Sequence, residues 1–150
     1  MTARISINVE HPQGGYGARV LRARAREFLR KLELDAEISI LLTTDEAIRR
    51  LNREFRGIDR ATDVLSFPGG EPMPGEPPHL GDLAISLDTA RRRAREDGRP
   101  LAQELARYLA HGLLHLLGYD HEISPDEARR MASMEAALLG GEGMLGGGEG

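Results

Sequence analysis

The sequence predicts a single-domain α/β fold in which about five helices pack on a sheet of mostly four strands. Two observations predict this fold. Short segments with alternating or uninterrupted apolar residues recur between longer segments whose apolar residues follow the period of a helix. Proline, glycine and capping residues separate these segments. The chain has 150 residues, which is the length of one domain with a substantial core.

Strands and helices alternate in the first part of the chain. Ile5, Ile7 and Val9 alternate with polar residues, as in a strand near the edge of a sheet. Thr44 is a good N-cap, and the two acidic residues after it suit the positive end of a helix. The predicted elements are a strand over 4–10, a helix over 16–32, a strand over 37–44 and a helix that Thr44 opens and Gly57 ends.

Two strands with a long connection are predicted next. The first covers residues 63–67 and ends at Pro68, and the second covers residues 80–87. Residues 69–79 hold four prolines and three glycines, which predicts a loop. After such a loop the second strand can return antiparallel to the first.

Three helices are predicted for the last part of the chain. The first begins at Ser86 and has Asp88 near its N-cap, and the second, over residues 101–117, carries enough leucines to be mostly buried. The third starts at Ser124, a capping residue followed by proline. It ends at Gly140, so residues 1–139 are predicted as one domain and residues 140–150 as a disordered glycine-rich tail.

Composition excludes several classes of protein. The chain has no cysteine, so disulfides and thiolate metal ligands are excluded, and a cytoplasmic setting is consistent with this. The net charge of −4 argues against a general nucleic-acid coat protein, although arginine, which supplies nearly all the positive charge, binds phosphate with two-point geometry. The N-terminus lacks the features of a signal peptide, and no apolar run approaches the ~20 residues that span a bilayer.

The most informative segment is HGLLHLLGYDH, residues 111–121. His111 and His115 lie on one helix face, since about 3.6 residues make a turn. Gly118 can end the helix in the left-handed conformation and bring His121 back towards the other two. Three imidazoles without a fourth protein ligand describe an open catalytic zinc site, where a bound water has its pKa lowered to about 7. The helix over 101–117 is therefore predicted to be central and to bear the metal.

The spacing also matches the zinc-binding frame H-x-x-x-H-x-x-G-x-x-H of the metzincin proteases. Those proteases have a glutamate after the first histidine as general base. The corresponding residue is Gly112, which has no side chain. The predicted metal cage is therefore retained, while the proton acceptor of a peptidase is missing.

The histidine segment resembles the signature of the YbeY family of bacterial zinc-dependent endoribonucleases and ribosomal RNA maturation factors. Two further segments support the resemblance. Residues 52–68, NREFRGIDRATDVLSFP, are similar to the family's N-x-x-F/Y-R and T-D-V-L-S-F-P blocks. Residues 80–86, LGDLAIS, resemble its L-G-D-I-x-I-S strand. The three segments frame residues 36–139 in the family's order.

The resemblance implies a mixed sheet surrounded by helices, and one Zn²⁺ per chain held by His111, His115 and His121. It implies a single-strand-specific endoribonuclease that acts in maturation of the 16S ribosomal RNA 3′ end and in ribosome quality control. The implied partners are ribosomal RNA and the small ribosomal subunit or its associated proteins. Arg56 matches the arginine of the N-x-x-F/Y-R block, so it is implied to be catalytic by binding the phosphodiester. An arginine that only complements the helix dipole is the alternative.

Other residues and functions stay open at the level of sequence. Asp120 either accepts a hydrogen bond from a ligand histidine or caps the turn. Asp63 and Asp82 either orient a ligand and accept a proton, or have only structural roles. Two rival functions are a non-catalytic, zinc-containing ribosome assembly factor and a metal hydrolase on a non-RNA substrate. Nickel or copper would also suit imidazole ligands.

Overall fold

The computed structural model describes residues 4–70, 74–75 and 77–146. The order of strands and helices is the predicted one. The elements are β1 (Arg4–Val9), α1 (Gly15–Lys31), β2 (Glu37–Thr43), α2 (Asp45–Arg56), β3 (Val64–Pro68), β4 (His79–Ser86), α3 (Leu87–Asp97), α4 (Leu101–Leu116) and α5 (Pro125–Gly146). Residues 71–73 and 76 of the predicted loop lie outside the described residues.

The four strands form one mixed sheet in the order β1-β2-β4-β3. Strands β1, β2 and β4 are parallel, and β3 pairs antiparallel with β4, an arrangement that the sequence allowed for these two strands. Helices α2 and α3 begin directly after the carboxyl ends of β2 and β4. The α/β class, the four strands and the five helices are therefore confirmed.

Apolar side chains alternate between the two faces of the sheet, because successive residues of a strand point to opposite sides. In β4, Leu83 and Ile85 belong to the large core, whereas Ala84 belongs to a small cluster with Ile48 of α2. The large core includes Leu105, Leu109 and other buried residues of α4. Helix α4 contacts α1, α3, α5, β3 and β4, which confirms the prediction of a central helix.

Capping residues define where the helices begin. The Thr44 side chain accepts a hydrogen bond from the backbone N–H of Ala47, and Ser124 accepts one from Glu127, as predicted. The prediction for α3 is confirmed, because Ser86 is its N-cap and Asp88 lies in its first turn. The Ser86 hydroxyl, at the end of β4, accepts a hydrogen bond from the backbone N–H of Thr89. Asp88 accepts one from the backbone N–H of Asp45.

The last helix is longer than the sequence predicted. Helix α5 continues to Gly146, so the predicted helix end at Gly140 is wrong. Glycine weakens a helix by about 1 kcal/mol relative to alanine but does not block its backbone hydrogen bonds. Residues 147–150 of the predicted tail lie outside the described residues, and a domain boundary at residue 139 stays a prediction.

Candidate metal centre

Helix α4 brings His111 and His115 together because they are one turn apart on the same face. Their rings lie edge to face, with centroids 4.6 Å apart. The two Nε2 atoms are 3.1 Å apart. Both side chains lie near the end of the helix and are only partly buried, whereas the residues between them are buried. Two imidazole nitrogens are therefore accessible on this face of α4.

The turn after α4 brings in the third histidine. Gly118 has φ of +100°, the left-handed region that the sequence predicted for it, and the Tyr119 N–H donates to the carbonyl of Leu114. The chain consequently reverses, and the ring of His121 lies with its centroid 5.6 Å from those of both other histidines. One nitrogen of each ring lies within 4.8 Å of the others, so the three imidazoles converge.

The geometry of the three nitrogens fits a divalent metal ion. At ligand distances of about 2.0–2.1 Å, two nitrogens of a tetrahedral site are roughly 3.3 Å apart. The separation of 3.1 Å between the Nε2 atoms of His111 and His115 is close to that value. Two neutral imidazoles whose lone pairs face each other at this distance need a shared cation or proton. A metal held by these three side chains would keep one coordination position open.

Glu135 of α5 is a residue that sequence reasoning missed. Its Oε2 lies 2.7 Å from Nδ1 of His111, and the hydrogen bond that this oxygen accepts from the ring raises the pKa of His111 although burial opposes it. In the neutral ring the proton therefore belongs on Nδ1, and the Nε2 lone pair faces His115. The sequence gives no signal that His111 and Glu135 are in contact, because Glu135 lies on the next helix, well beyond the histidine motif.

His115 has the opposite electrostatic environment. Burial lowers the pKa of His115, and the neighbouring His111 and His121 lower it further. The imidazole therefore stays neutral to lower pH than an exposed histidine, which is the state that binds a metal. The pKa of His111 is thus raised and that of His115 lowered, because Glu135 hydrogen-bonds to His111.

Asp120 caps the turn between the second and third histidines. Its Oδ1 accepts a hydrogen bond of 2.9 Å from the backbone N–H of Glu122. Of the two interpretations that the sequence allowed, the structure shows the capping one. Among the described residues, the carboxylate that hydrogen-bonds to one of the three converging histidines is instead Glu135.

Gly112 lies where α4 packs tightly against the sheet. A Cβ atom placed on it would be 2.9 Å from Cδ2 of Leu83 and 3.1 Å from Cγ2 of Val64. A neighbouring element therefore approaches Gly112 closely, and this element is the sheet. The glycine lets β3 and β4 pack directly against the helix that carries His111 and His115.

Arg56 is the last residue of α2, and its side chain contacts β3 rather than the histidines. Its Nη2 donates a 3.2 Å hydrogen bond to the carbonyl of Ser66. The Ser66 hydroxyl in turn donates to the carbonyl of Gly112 over 3.2 Å. Arg56 thus contacts β3, the strand that packs beside α4. The guanidinium is exposed, so most of its N–H donors face solvent.

The two aspartates of the other motif segments have different positions. Asp63 accepts the backbone N–H of Val64 and forms a 3.1 Å ion pair with Arg93. It also lines a cavity that reaches His111. Asp82 lies on β4 with an exposed side chain, 3.7 Å from His79. The structure therefore brings Asp63, and not Asp82, to the surroundings of the histidines.

The central helix of this α/β domain and the turn after it present three converging imidazoles, an arrangement that suits metal-assisted hydrolysis. The model of the family described as Endoribonuclease YbeY matches residues 15–141 of the chain. The chain belongs to the YbeY family of endoribonucleases, as its motifs suggested.

Relatives from several bacteria agree with this assignment. The chain is 62% identical over 147 residues to the Endoribonuclease YbeY of Anaeromyxobacter sp. (strain Fw109-5), covering 97% of this chain and 74% of the relative. It is 45% identical over 142 residues to that of Persephonella marina, covering 91% and 90%. The solution structure of a Thermotoga maritima protein matches with a TM-score of 0.60 and 29% identity, covering 91% of this chain and 89% of that one.

Across the described residues, none of the helices combines the length and apolar character that crossing a bilayer requires.

Proposed function

We propose that the protein is a single-strand-specific, zinc-dependent endoribonuclease that matures the 3′ end of 16S ribosomal RNA and takes part in ribosome quality control. The observation that carries the proposal is the convergence of His111, His115 and His121 within 4.8 Å. Relatives of this chain carry the name Endoribonuclease YbeY, and a metal bound by three histidines would keep open the coordination position that hydrolysis needs.

One zinc ion per chain is the metal that we propose for this centre. Imidazole suits zinc, copper and nickel, and three histidines with one open position form a known type of catalytic zinc site. When bound, zinc would polarise a phosphoryl oxygen and make a water molecule more acidic. Glu135 holds the His111 ring so that Nε2 faces the site. His115 stays neutral because burial lowers its pKa.

Arg56 is the residue that we propose to bind the substrate phosphate. One of its N–H groups is used by Ser66, and a guanidinium carries five donors in a planar fork. The remaining donors can bind two oxygens of a phosphodiester and stabilise the negative charge that develops during cleavage. Hydrogen bonds from Arg56 to Ser66 and from Ser66 to Gly112 hold the Arg56 side chain in position relative to α4.

Single-stranded RNA is the expected form of the substrate, because proteins read RNA sequence mostly in unpaired regions. The chain has only three tyrosines, three phenylalanines and no tryptophan, so it is poor in the rings that usually stack on bases. We therefore propose that ribosomal RNA is presented by the small subunit or by proteins bound to it.

The proposal is tested with the purified protein on four substrates: single-stranded RNA, duplex RNA, a peptide, and small-subunit precursors with an unprocessed 3′ end. Cleavage of single-stranded RNA that a chelator abolishes and zinc restores supports the proposal. Cleavage of peptides would contradict it, because Gly112 leaves the site without the proton acceptor of a metzincin. Zinc retention without cleavage of any RNA would make the protein a non-catalytic assembly factor.

A further inference from the structure

A cavity lies on the face of the sheet that carries α2, and it has no role in the function proposed above. It has a volume of about 500 Å³, within the usual range of ligand pockets. Residues of all four strands form its floor, and Leu51 and Phe55 of α2 form one side. The cavity is therefore large enough for a small planar ligand, and it opens beside the helix that ends at Arg56.

Two phenylalanine rings stand at the α2 side of this cavity. The ring of Phe55 packs against that of Phe67 in β3, with the centroids 5.4 Å apart and an angle of 70° between the ring planes. Phe55 is nevertheless 61% exposed, whereas Phe67 is partly buried. Because the contact is edge to face, it holds the Phe55 ring in place without covering both of its faces. An exposed ring fixed in this way is a surface on which a planar ligand can stack.

The guanidinium of Arg56 is held at the same place as these rings. Phe55 and Arg56 are consecutive at the end of α2, and they contact consecutive residues of β3. Phe55 packs on Phe67, and Nη2 of Arg56 donates a 3.2 Å hydrogen bond to the carbonyl of Ser66. A phosphate bound by Arg56 and a base stacked on Phe55 would therefore belong to one nucleotide or to neighbouring nucleotides.

The charges of the cavity suit a base and not a phosphate. Asp82 and Glu10 line it, and both are exposed carboxylates that would repel the RNA backbone but can accept hydrogen bonds from the N–H groups of a base. The side chains of Asn8 and Ser39 also line it and make no hydrogen bond to another described residue. The backbone would thus stay at Arg56 while the neutral base enters the cavity.

We propose that Phe55, supported by Phe67, stacks an unpaired base of the RNA whose phosphate Arg56 binds. Stacking on an aromatic side chain tolerates every base, because each base has a π-face. The chain is poor in aromatic residues, yet two of its three phenylalanines meet at this point. The proposal rests on the proposed function, since it adds a base-binding subsite for the same RNA.

A basic peptide is the other class of ligand that Glu10, Asp82 and an apolar surface would attract. The position of Arg56 favours RNA, because this cation at the rim would repel a basic peptide and attract a phosphate. Binding of both classes to the same variants decides between them.

A comparison of two labelled strands tests the stacking directly. The first is a short single-stranded RNA with a phosphorothioate backbone, and the second has the same backbone and length but no bases. Binding to the zinc-loaded full chain is measured by fluorescence anisotropy, and a gel verifies that both strands stay intact. We expect Phe55→Ala to weaken binding of the first strand about ten-fold and to leave binding of the second nearly unchanged.

Two further variants make this comparison specific. Phe55→Leu keeps an apolar contact with Phe67 but has no aromatic ring, so it should lose nearly as much affinity as Phe55→Ala. Tyr16→Ala is the matched control, because Tyr16 is another exposed ring, 51% exposed on α1, and it should bind both strands as the native chain does. Zinc content should be native in all three variants.

Three results would overturn the proposal. One is unchanged RNA binding in Phe55→Ala, and another is an equal loss for the strands with and without bases. The third is loss of binding to a labelled peptide of alternating arginine and leucine while RNA binding stays native, which would make the cavity a docking site for a protein segment.

Cleavage assays separate this proposal from the proposed function. With single-stranded RNA, Phe55→Ala should raise KM about ten-fold and leave kcat nearly unchanged. Base-dependent RNA binding through Phe55 without any cleavage would refute the nuclease function and keep the base subsite. Cleavage with the native KM in Phe55→Ala would refute the base subsite and keep the nuclease function.

Discussion

The Oε2 atom of Glu135 lies 2.7 Å from the Nδ1 atom of His111. This contact joins α5 to the histidine that begins the motif on α4. It fixes the ring orientation, and in the neutral ring it places the lone pair on the nitrogen that faces His115. A carboxylate behind a ligand histidine also raises the basicity of the ring.

Replacing Glu135 should weaken metal binding without breaking the fold. In Glu135→Gln the amide can still accept the Nδ1–H hydrogen bond but has no charge. We expect the zinc affinity to fall about 10–100-fold, measured by competition with a chromophoric chelator. Glu127→Gln is the matched control, because Glu127 lies on the same helix and pairs with Arg130. Equal affinity in both variants would show that Glu135 has no part in the metal centre.

The same contact should make the stability of the metal-free protein depend on pH. Glu135 raises the pKa of His111 in the folded state, so protonated His111 stabilises the fold below its unfolded pKa of about 6.5. This stabilisation is lost as the pH rises through the folded-state pKa. His115 has a lowered pKa in the folded state, so its effect on the free energy of unfolding has the opposite sign. Neutral His115 is compatible with the fold, and the protein becomes less stable as the pH falls below about 6.5.

The difference between native protein and Glu135→Gln isolates the contribution of His111. Urea unfolding between about pH 5 and pH 8 should show a stability difference that is largest at the acid end and shrinks as the pH rises. A difference that does not change with pH would contradict the assignment of this ion pair.

Loss of one histidine should empty the proposed zinc site. Elemental analysis of the native protein, purified without a histidine tag, should find about one zinc per chain, and His115→Ala should retain almost none. Part of the fold should also loosen, since metal binding contributes to folding free energy. His79→Ala is the control, because His79 lies on β4 beside Glu37 and Asp82. Full zinc retention in His115→Ala would refute the three-histidine site.

Arg56 should be needed for cleavage and not for zinc binding. Arg56→Ala should lower kcat/KM for RNA about 100-fold or more, because one electrostatic donor at the transition state is worth about that much. Arg56→Lys should restore little, since a point charge cannot reproduce the two-point fork. Arg53→Ala is the matched control from the preceding turn of the same helix. Unchanged cleavage in Arg56→Ala would make Arg56 a surface residue that only contacts Ser66.

Gly112→Ala should destabilise the protein although alanine is the better helix former. The added methyl meets the buried Leu83 at 2.9 Å, and overpacking of this kind costs about 1–3 kcal/mol, against a gain of about 1 kcal/mol from helix propensity. We expect a net loss of about 1 kcal/mol in the free energy of unfolding. Gly140→Ala in α5, where a Cβ meets nothing within 4 Å, should instead be neutral or stabilising. A Gly112→Ala variant more stable than the native protein would show that Leu83 and Val64 can shift to accommodate the methyl group at little cost in free energy.

Local signals were strong enough to predict most of the fold. Caps such as Thr44 and Ser124, the glycine that ends α2, and apolar periodicity all act between residues close in sequence. The order of elements could therefore be predicted, and the antiparallel return of β4 was allowed. The start of α3 is local in the same way, because Ser86 ends β4 and its hydroxyl also caps the next helix.

The histidine centre was also determined by the sequence, because its geometry is local. One helical turn separates His111 from His115, and Gly118 with a left-handed backbone returns His121. No long-range contact is needed to bring these rings together.

Only the tertiary structure decided what surrounds the centre and Arg56. Glu135 reaches His111 because α5 packs along α4, and Phe55 meets Phe67 because α2 packs on the sheet. Such contacts depend on how elements far apart in sequence pack on one sheet, and no spacing along the chain encodes them. The sequence by itself therefore determined the candidate ligands, while helix packing decided the carboxylate behind them and the pair of rings beside Arg56.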